Sequence, residues 1–306
     1  MPTATAQSWT VGDLTVHRID EIALPSPTGA WLLPAATPDV VTEQPWLQPH
    51  FADRDGTLNL HSQTFAMTID GLRVLVDTGI GNGKTRANPA WNNLDTDYLQ
   101  RLDAAGYAPE SIDLVVLTHL HTDHVGWNTH WHNNTWTPTF PNARYLTSRT
   151  EWRFWAEYDM DEARRQMFDD SIHPINDAGL LDILDVPDHG LDVIPGLRLL
   201  PTPGHTPGHL AVQLGNRAAL ITGDCIHHPV QFTDPTIGSC VDIDPHLAET
   251  SRRALLQSLT GTETLILGTH FPAPTAGLVV GDESSYRLVP SAPRKPPTAH
   301  SSFRRA

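Results

Sequence analysis

Cysteine is nearly absent: Cys225 and Cys240 are the only two in 306 residues. A disulfide framework is therefore excluded, and two free thiols are expected. Positive charge is scarce, with 20 Lys+Arg against 35 Asp+Glu and a formal net charge of −15. No basic patch interrupts the main body, so the surface should repel phosphate backbones and nucleic acid is not an expected partner. No stretch approaches the roughly 18 consecutive apolar residues of a membrane span. Met1 to Thr10 carries neither the basic segment nor the apolar core of a signal peptide, and a cytoplasmic location is the expectation. The glycine-rich loop Asp77-Thr78-Gly79-Ile80-Gly81-Asn82-Gly83 lacks the GK[ST] ending of a phosphate loop, which argues against nucleotide binding. No short-period repeat is present.

What remains is a globular composition, 39% hydrophobic and 18% charged, long enough to bury a core. Trp9 to Ile19 alternates like a strand with a turn at Gly12-Asp13. Residues 20–62 read as a long loop insert, rich in proline and punctuated by Trp31, Trp46 and Phe51; loops of this length are commonly functional lids. Asp70-Gly71 and Gly215-Asn216 each sit between apolar runs and predict hairpins. Short helices are expected over Asp95 to Ala105 and from Asp244-Pro245 to Leu259, and one longer helix over Thr150 to Asp170. Asp113 to Leu117, Arg144 to Thr147 and Thr264 to Leu267 read as strands. A strand-rich stretch, then helix, strand and loop, occurs twice, which suggests two α/β halves packed sheet to sheet with helices outside. We expect a single domain over residues 1–289 and a disordered tail over 290–306.

The chemistry concentrates where an apolar strand ends. His119-Leu120-His121-Thr122-Asp123-His124 places three imidazoles and a carboxylate in six positions, too dense for packing. Three further strand-end loops hold His205, Asp224 and His270. Mixed nitrogen and oxygen donors without thiolate suit zinc, with manganese, iron or cobalt as alternatives. Seven ligands exceed one ion but fit two: His119, His121 and His205 on one, Asp123, His124 and His270 on the other, and Asp224 bridging them.

The His119-x-His121-x-Asp123-His124 run resembles the H-x-H-x-D-H signature of the metallo-β-lactamase superfamily. Pro203-Gly204-His205-Thr206-Pro207-Gly208-His209, Gly223-Asp224 and Gly268-Thr269-His270 follow in that superfamily's order. The resemblance implies an αββα sandwich of two packed mixed β-sheets with helices on the outer faces and a dinuclear site at the open sheet edge. Within the superfamily the chain is similar to the N-acyl homoserine lactonase and methyl parathion hydrolase branches. Leu75-Val76-Asp77-Thr78-Gly79, the long insert, and Gly223-Asp224-Cys225-Ile226-His227-His228 carry that similarity. Lactonases near the quorum-quenching prototype have a tyrosine three residues after the bridging aspartate, where this chain has His227, as on the parathion hydrolase side. Lactone, ester and phosphotriester therefore stay open as substrates.

The expected activity is hydrolysis of a small, fairly apolar lactone, ester or phosphotriester by a hydroxide shared between two divalent ions. Asp123 would relay the proton, Asp224 would bridge the ions, and His227 would donate to substrate or leaving group. A β-lactamase or thioesterase of the same fold is the alternative. A nuclease is disfavoured by charge, and a non-catalytic metal-binding sensor by the complete ligand set. His209 is expected to hydrogen-bond behind the site, and Cys225 and His228 to stand outside the chemistry. His130 and His132 should form a loop wall. Trp127, Trp131, Trp136, Trp152 and Trp155 either pack the core or line an apolar pocket. The insert could instead serve a homodimer contact.

Overall fold

A computed structural model describes residues 7–282 and 285–293. In chain order it contains β1 (Gln7–Val11), β2 (Leu14–Ala23), α1 (Pro27–Leu32), α2 (Pro38–Thr42), β3 (His61–Ile69), β4 (Leu72–Val76), α3 (Tyr98–Ala104) and β5 (Leu114–Val116). There follow α4 (Thr122–Val125), β6 (Thr129–His132), β7 (Thr135–Pro138), β8 (Arg144–Ser148), α5 (Arg149–Glu157), α6 (Glu162–Ser171), α7 (His173–Asp177) and β9 (Leu181–Leu184). The second half comprises β10 (Leu191–Ile194), β11 (Leu197–Pro201), β12 (Leu210–Leu214), β13 (Ala219–Ile221), α8 (Val230–Thr233), α9 (Pro245–Leu259), β14 (Leu265–Leu267), β15 (Ala276–Asp282) and β16 (Ser285–Pro290).

Two seven-stranded mixed sheets result, ordered β1-β2-β3-β4-β5-β8-β9 and β10-β11-β12-β13-β14-β15-β16. Period-two alternation decides which side chains meet between them. Phe65, Met67, Val74 and Val116 point toward Leu199, Val212, Ile221 and Leu267 of the other sheet. The intervening Ala66, Leu75 and Val115 turn outward onto Tyr98, Trp155 and Phe168 of α3, α5 and α6. On the second sheet Ala211, Leu220 and Ile266 pack outward against Leu255 and Leu256 of α9. The αββα sandwich expected from the resemblance is thus observed, with one apolar layer between the sheets and one under each helical face.

Local chemistry accounts for most elements. Asp70 (φ 51°) and Gly71 (φ 78°) make the tight β3–β4 turn, which needs positive φ at both positions. Asp244 accepts from Leu247 N at 3.0 Å and caps α9 where Asp244-Pro245 predicts it. The single helix expected over Thr150 to Asp170 is instead two, α5 and α6. Tyr158 turns extended, and Asp161 starts a new helix by accepting from Arg164 N at 2.8 Å.

Residues 20–62 also differ from a plain loop. β2 runs on to Ala23, and α1 and α2 follow, each opening with a proline at its first position. Leu33, Val41, Leu47 and Phe51 are fully buried and join the second sheet's outer core, while Trp31 is 56% exposed. At the C-terminal end Pro290 lies in β16, and Ser291 bonds Ala276 through its N–H at 2.9 Å and Trp9 Nε1 through its carbonyl at 3.0 Å. The expected tail therefore does not begin at 290, and residues 294–306 lie outside the described residues. No helix among the described residues is long and apolar enough to cross a membrane.

Candidate metal centre

β5 ends at Val116 and releases the chain into the His119–His124 run, which closes on the single turn of α4. Asp77, at the end of β4, sets that run in place. Its carboxylate accepts from Thr118 N (2.8 Å), Thr118 Oγ1 (2.9 Å) and His124 Nδ1 (2.9 Å). Thr118 Oγ1 then accepts from His119 Nδ1 at 3.0 Å. Each of these rings donates through Nδ1, which leaves a lone pair on Nε2 pointing into the site.

The second sheet supplies the other donors. His205, on the β11–β12 loop, bonds Asp242 Oδ1 through Nδ1 at 2.9 Å, so its Nε2 is also a lone pair. That atom lies 3.2 Å from His119 Nε2 and 2.9 Å from His121 Nδ1. His270, after β14, donates Nδ1 to His61 O at 2.7 Å. Its Nε2 is 3.0 Å from Asp224 Oδ1 and 3.7 Å from Asp123 Oδ2. Asp224 sits between the groups: its Oδ2 is 3.3 Å from His124 Nε2, 3.4 Å from His205 Nε2 and 3.8 Å from His119 Nε2.

Lone pairs facing lone pairs or carboxylate oxygens at these distances repel unless a cation lies among them. His124 Nε2 and Asp224 Oδ1 are buried without any hydrogen-bond partner, an arrangement native proteins avoid unless a ligand completes it. The electrostatics agree. Burial drives His119 and His121 well below the ordinary imidazole pKa, toward the neutral form that binds metal. At His124 and His270 burial acts in the same direction, but Asp224 and the neighbouring carboxylates outweigh it and raise both, which marks a place where positive charge is favoured. Asp224 is held well below the usual carboxylate range, its burial overcome by His124, His270 and His227. Two triads fit divalent ions, His119/His121/His205 and Asp123/His124/His270, and Asp224 lies between them.

All seven proposed ligands thus converge, and the remaining expected residues fall around them. His209 accepts from Asp224 N through Nε2 (2.8 Å) and bonds Thr202 Oγ1 through Nδ1 (2.8 Å), so it aims Asp224 from behind. His227 is buried with its Nε2 3.3 Å from Asp224 Oδ2, and neither ring nitrogen has a hydrogen-bond partner. His228 bonds Phe51 O at 2.7 Å and serves packing. Cys225 joins the core, where burial pushes its thiol up to about 12. His130 and His132 stand on the β6–β7 hairpin and belong to no metal-binding group among the described residues.

A cavity of about 560 Å³ opens over the donors, with His121, Asp123, Asp224, His227 and His270 in its wall. None of the five expected tryptophans lines it. Trp127 stacks on Tyr98 at 5.1 Å and donates to Glu21, Trp155 is buried, and Trp131 stands 56% exposed against Trp136. The apolar wall comes instead from Leu24, Trp31 and Leu32 of the insert and from Trp91. Sequence reading also missed Asp77 as an anchor, Asp242, and two buried carboxylates, Glu21 and Glu151. Spacing gave no signal for Asp242, Glu21 or Glu151, since each acts on a loop distant in sequence.

A sandwich of this topology, with His/Asp clusters at the strand ends of both sheets, defines a metal-dependent hydrolase. The family model for the metallo-β-lactamase superfamily matches residues 59–270, and the chain belongs to that superfamily. An N-acyl homoserine lactonase of Bacillus thuringiensis is 24% identical over 230 residues, spanning 70% of this chain and 82% of that protein. Among solved structures, the hydrolase AbOPH of the β-lactamase superfamily superposes with a TM-score of 0.76 at 24% identity, covering 96% of this chain and 100% of that one. AidC, a dizinc quorum-quenching lactonase in complex with a product, superposes with a TM-score of 0.74 at 19% identity over 95% and 99% of the two chains.

Proposed function

We propose that this chain is a dinuclear metal-dependent hydrolase, most plainly a zinc enzyme, that opens a small, fairly apolar lactone or a related ester or phosphotriester. The observation that carries the reading is the convergence of two ligand triads on Asp224 beneath a largely apolar cavity. Bound divalent ions would polarise the scissile carbonyl or phosphoryl oxygen and lower the pKa of water at the site. The chain's own groups do the rest. Leu24, Trp31, Leu32 and Trp91 bind the apolar part of the substrate and keep bulk water away. Asp123, 14% exposed in the cavity wall and 3.7 Å from both His124 Nε2 and His270 Nε2, takes a proton from the attacking water and returns it to the leaving oxygen. His227, whose ring nitrogens have no hydrogen-bond partner although Nε2 lies 3.3 Å from Asp224 Oδ2, donates to the substrate or leaving group. Resemblance to lactonases supports the lactone, and the histidine at 227 keeps phosphotriesters within reach.

The test joins chemistry to composition. Acyl lactones of varied chain length, aryl esters and aryl phosphotriesters are offered to protein whose metal content is measured on the same sample. The expected result is turnover of at least one class with two ions per chain. Asp224→Ala should retain less metal and lose hydrolysis by about 100- to 1000-fold, the scale of a lost charge-stabilising group. Full activity in that variant, or one ion per chain in the active wild type, would overturn the proposal.

A further inference from the structure

Two arginines line the cavity, and they differ in how their charge is met. Arg86 is paired with Asp170 through two bonds of 2.7 and 2.9 Å. Arg164, on α6, has no ion pair among the described residues; only its main-chain N–H is engaged, by the capping oxygen of Asp161. Its guanidinium lies over the Trp155 ring, with Cζ 4.2 Å from the ring centroid, and Nη1 is buried without a partner. Trp155 is itself fixed by its Nε1 bond to Glu151 Oε1 (2.7 Å), and its ring lies 5.6 Å from His121. A guanidinium held over an aromatic ring presents a planar fork of donors, suited to an oxygen acceptor in its own plane. Of the carboxylates that bear on it, Asp161 serves its helix cap, Glu151 already accepts from four donors, and Asp123 belongs to the proposed metal centre. The cation is thus half-buried in a binding cavity with its buried Nη1 donor unmet, a costly state that a ligand oxygen would relieve.

Resting on the hydrolase reading above, we infer that Arg164 is a specificity-determining residue: it binds a carbonyl or carboxylate oxygen on the part of the substrate that is not hydrolysed. In the apolar wall Leu24 and Leu32 offer such an oxygen no donor and the buried, unpartnered Nε1–H of Trp91 offers a neutral one, so Arg164 supplies the charged contact that would orient the substrate as well as select it. An unsubstituted lactone or a trialkyl phosphotriester lacks that second oxygen and would forgo the contact.

The experiment compares metal-loaded wild type, Arg164→Met and Arg164→Lys on three lactones of one ring size. One is unsubstituted, one carries an acylamino group beside the ring carbonyl, and one carries a free carboxylate side chain. The ratio of kcat/KM for a substituted over the unsubstituted lactone should fall about 10- to 100-fold in Arg164→Met, mainly through KM, as for loss of a charge-assisted hydrogen bond. A fall in the acylamino arm identifies a carbonyl acceptor, and a fall in the carboxylate arm an anionic one. Arg164→Lys should restore the carboxylate arm better than the carbonyl arm, because lysine supplies charge without the planar fork. Unchanged ratios in both arms overturn the inference, whatever happens to absolute rates. Should wild type open no lactone, the lactone reading fails separately, and calorimetric binding of N-acetylglycine, which has both oxygen types, still decides Arg164. A tenfold or greater loss of affinity in Arg164→Met supports the assignment. Equal affinity, or no binding to wild type, overturns it.

Discussion

At the scale of single residues, ring tautomers organise the site. Asp77, Asp242, the Thr118 hydroxyl and the His61 carbonyl each take an Nδ1–H, and by doing so leave Nε2 of His124, His205, His119 and His270 as a donor to metal. A different balance operates beside the cavity. Lys84 is fully buried, lies 3.8 Å from the centre of the Trp136 ring, and shares Asp170 with Arg86. Burial is the larger effect, Arg86 adds repulsion, and Asp170 recovers only part, so the ammonium falls to about 7. In the unfolded chain Lys84 keeps its proton to its ordinary value of 10.5. Between these two values the unfolded state binds more protons, so this group's contribution to stability rises with pH above about 7 and is flat below it. Chemical denaturation at pH 6.5 and 8.5 should show a rise in wild type, bounded by about 1.4 kcal/mol per pH unit, that is absent in Lys84→Met. The slope difference is the readout, since both proteins share the titrations of the metal ligands. Equal slopes would mean that Lys84 keeps an ordinary pKa.

At the scale of elements, one helix start holds two ligand loops together. Ser148 caps α5 by accepting from Glu151 N (3.0 Å) and donates to Gly208 O (2.8 Å). Glu151 receives Leu120 N and Trp155 Nε1 on Oε1, and Thr206 Oγ1 and Gly208 N on Oε2. The loop bearing His119 and His121 is thereby fastened to the loop bearing His205. Gly208 permits the contact, because a Cβ there would sit 2.0 Å from Glu151 N. Glu151→Gln replaces one acceptor oxygen by an amide that faces two donors. Metal affinity should fall about 10- to 100-fold, as when outer partners of metal ligands are removed, with unfolding easier by about 2–3 kcal/mol. Competition with a chromogenic chelator and denaturant titration measure the two effects, and wild-type values for both would refute the clamp. Glu151 also shows what the sequence could and could not reveal. Six consecutive positions announced the His119–His124 half, and glycine–histidine loops announced His205 and His270, because ligand chemistry there is local. Hairpins at Asp70-Gly71 and the cap at Asp244 were legible for the same reason. Glu151, Glu21 and Asp242 are ordinary residue types whose roles arise from contacts across 30 or more residues, and Arg164 gains its place only where α5 and α6 meet a cavity built from distant segments. Glu21 is further disguised by the β2 irregularity at Asp20–Ile22, beside which it turns inward to Ile80 N, Gly81 N and Trp127. Of the two alternatives open to the tryptophans after Gly126, the structure takes packing over this cavity, because a tryptophan's burial depends on its partners: Trp127 stacks on Tyr98 of α3, Trp152 and Trp155 pack from α5, and Trp131 meets Trp136 on the β6–β7 hairpin.

At the scale of the whole molecule, the proposed centre straddles the seam of the sandwich. His119, His121, Asp123 and His124 hang from β5 of the first sheet, whereas His205, Asp224 and His270 follow β11, β13 and β14 of the second. Each proposed ion would take ligands from both sheets, so separating the sheets would require releasing both ions. The repulsion among donors described above also falls wholly on the metal-free protein. Metal should therefore act as a clasp whose strength appears in global unfolding rather than in local order. By mass action an ion at a free concentration 1,000 times its Kd adds about 4 kcal/mol. With an unfolding entropy of about 2.1 cal/mol/K per residue, a chain of this size should then lose about 6 °C in Tm when one such ion is removed, and more for two. Calorimetric scans of chelator-treated and zinc-reloaded protein test this. Asp224→Ala should show the smaller part of the zinc-dependent shift that its surviving triads retain, while a variant confined to the cavity rim, such as Trp31→Ala, should keep the whole shift. Identical transitions with and without metal would show that the sheets hold together without the clasp, and would remove the stabilising role assigned here to the paired triads.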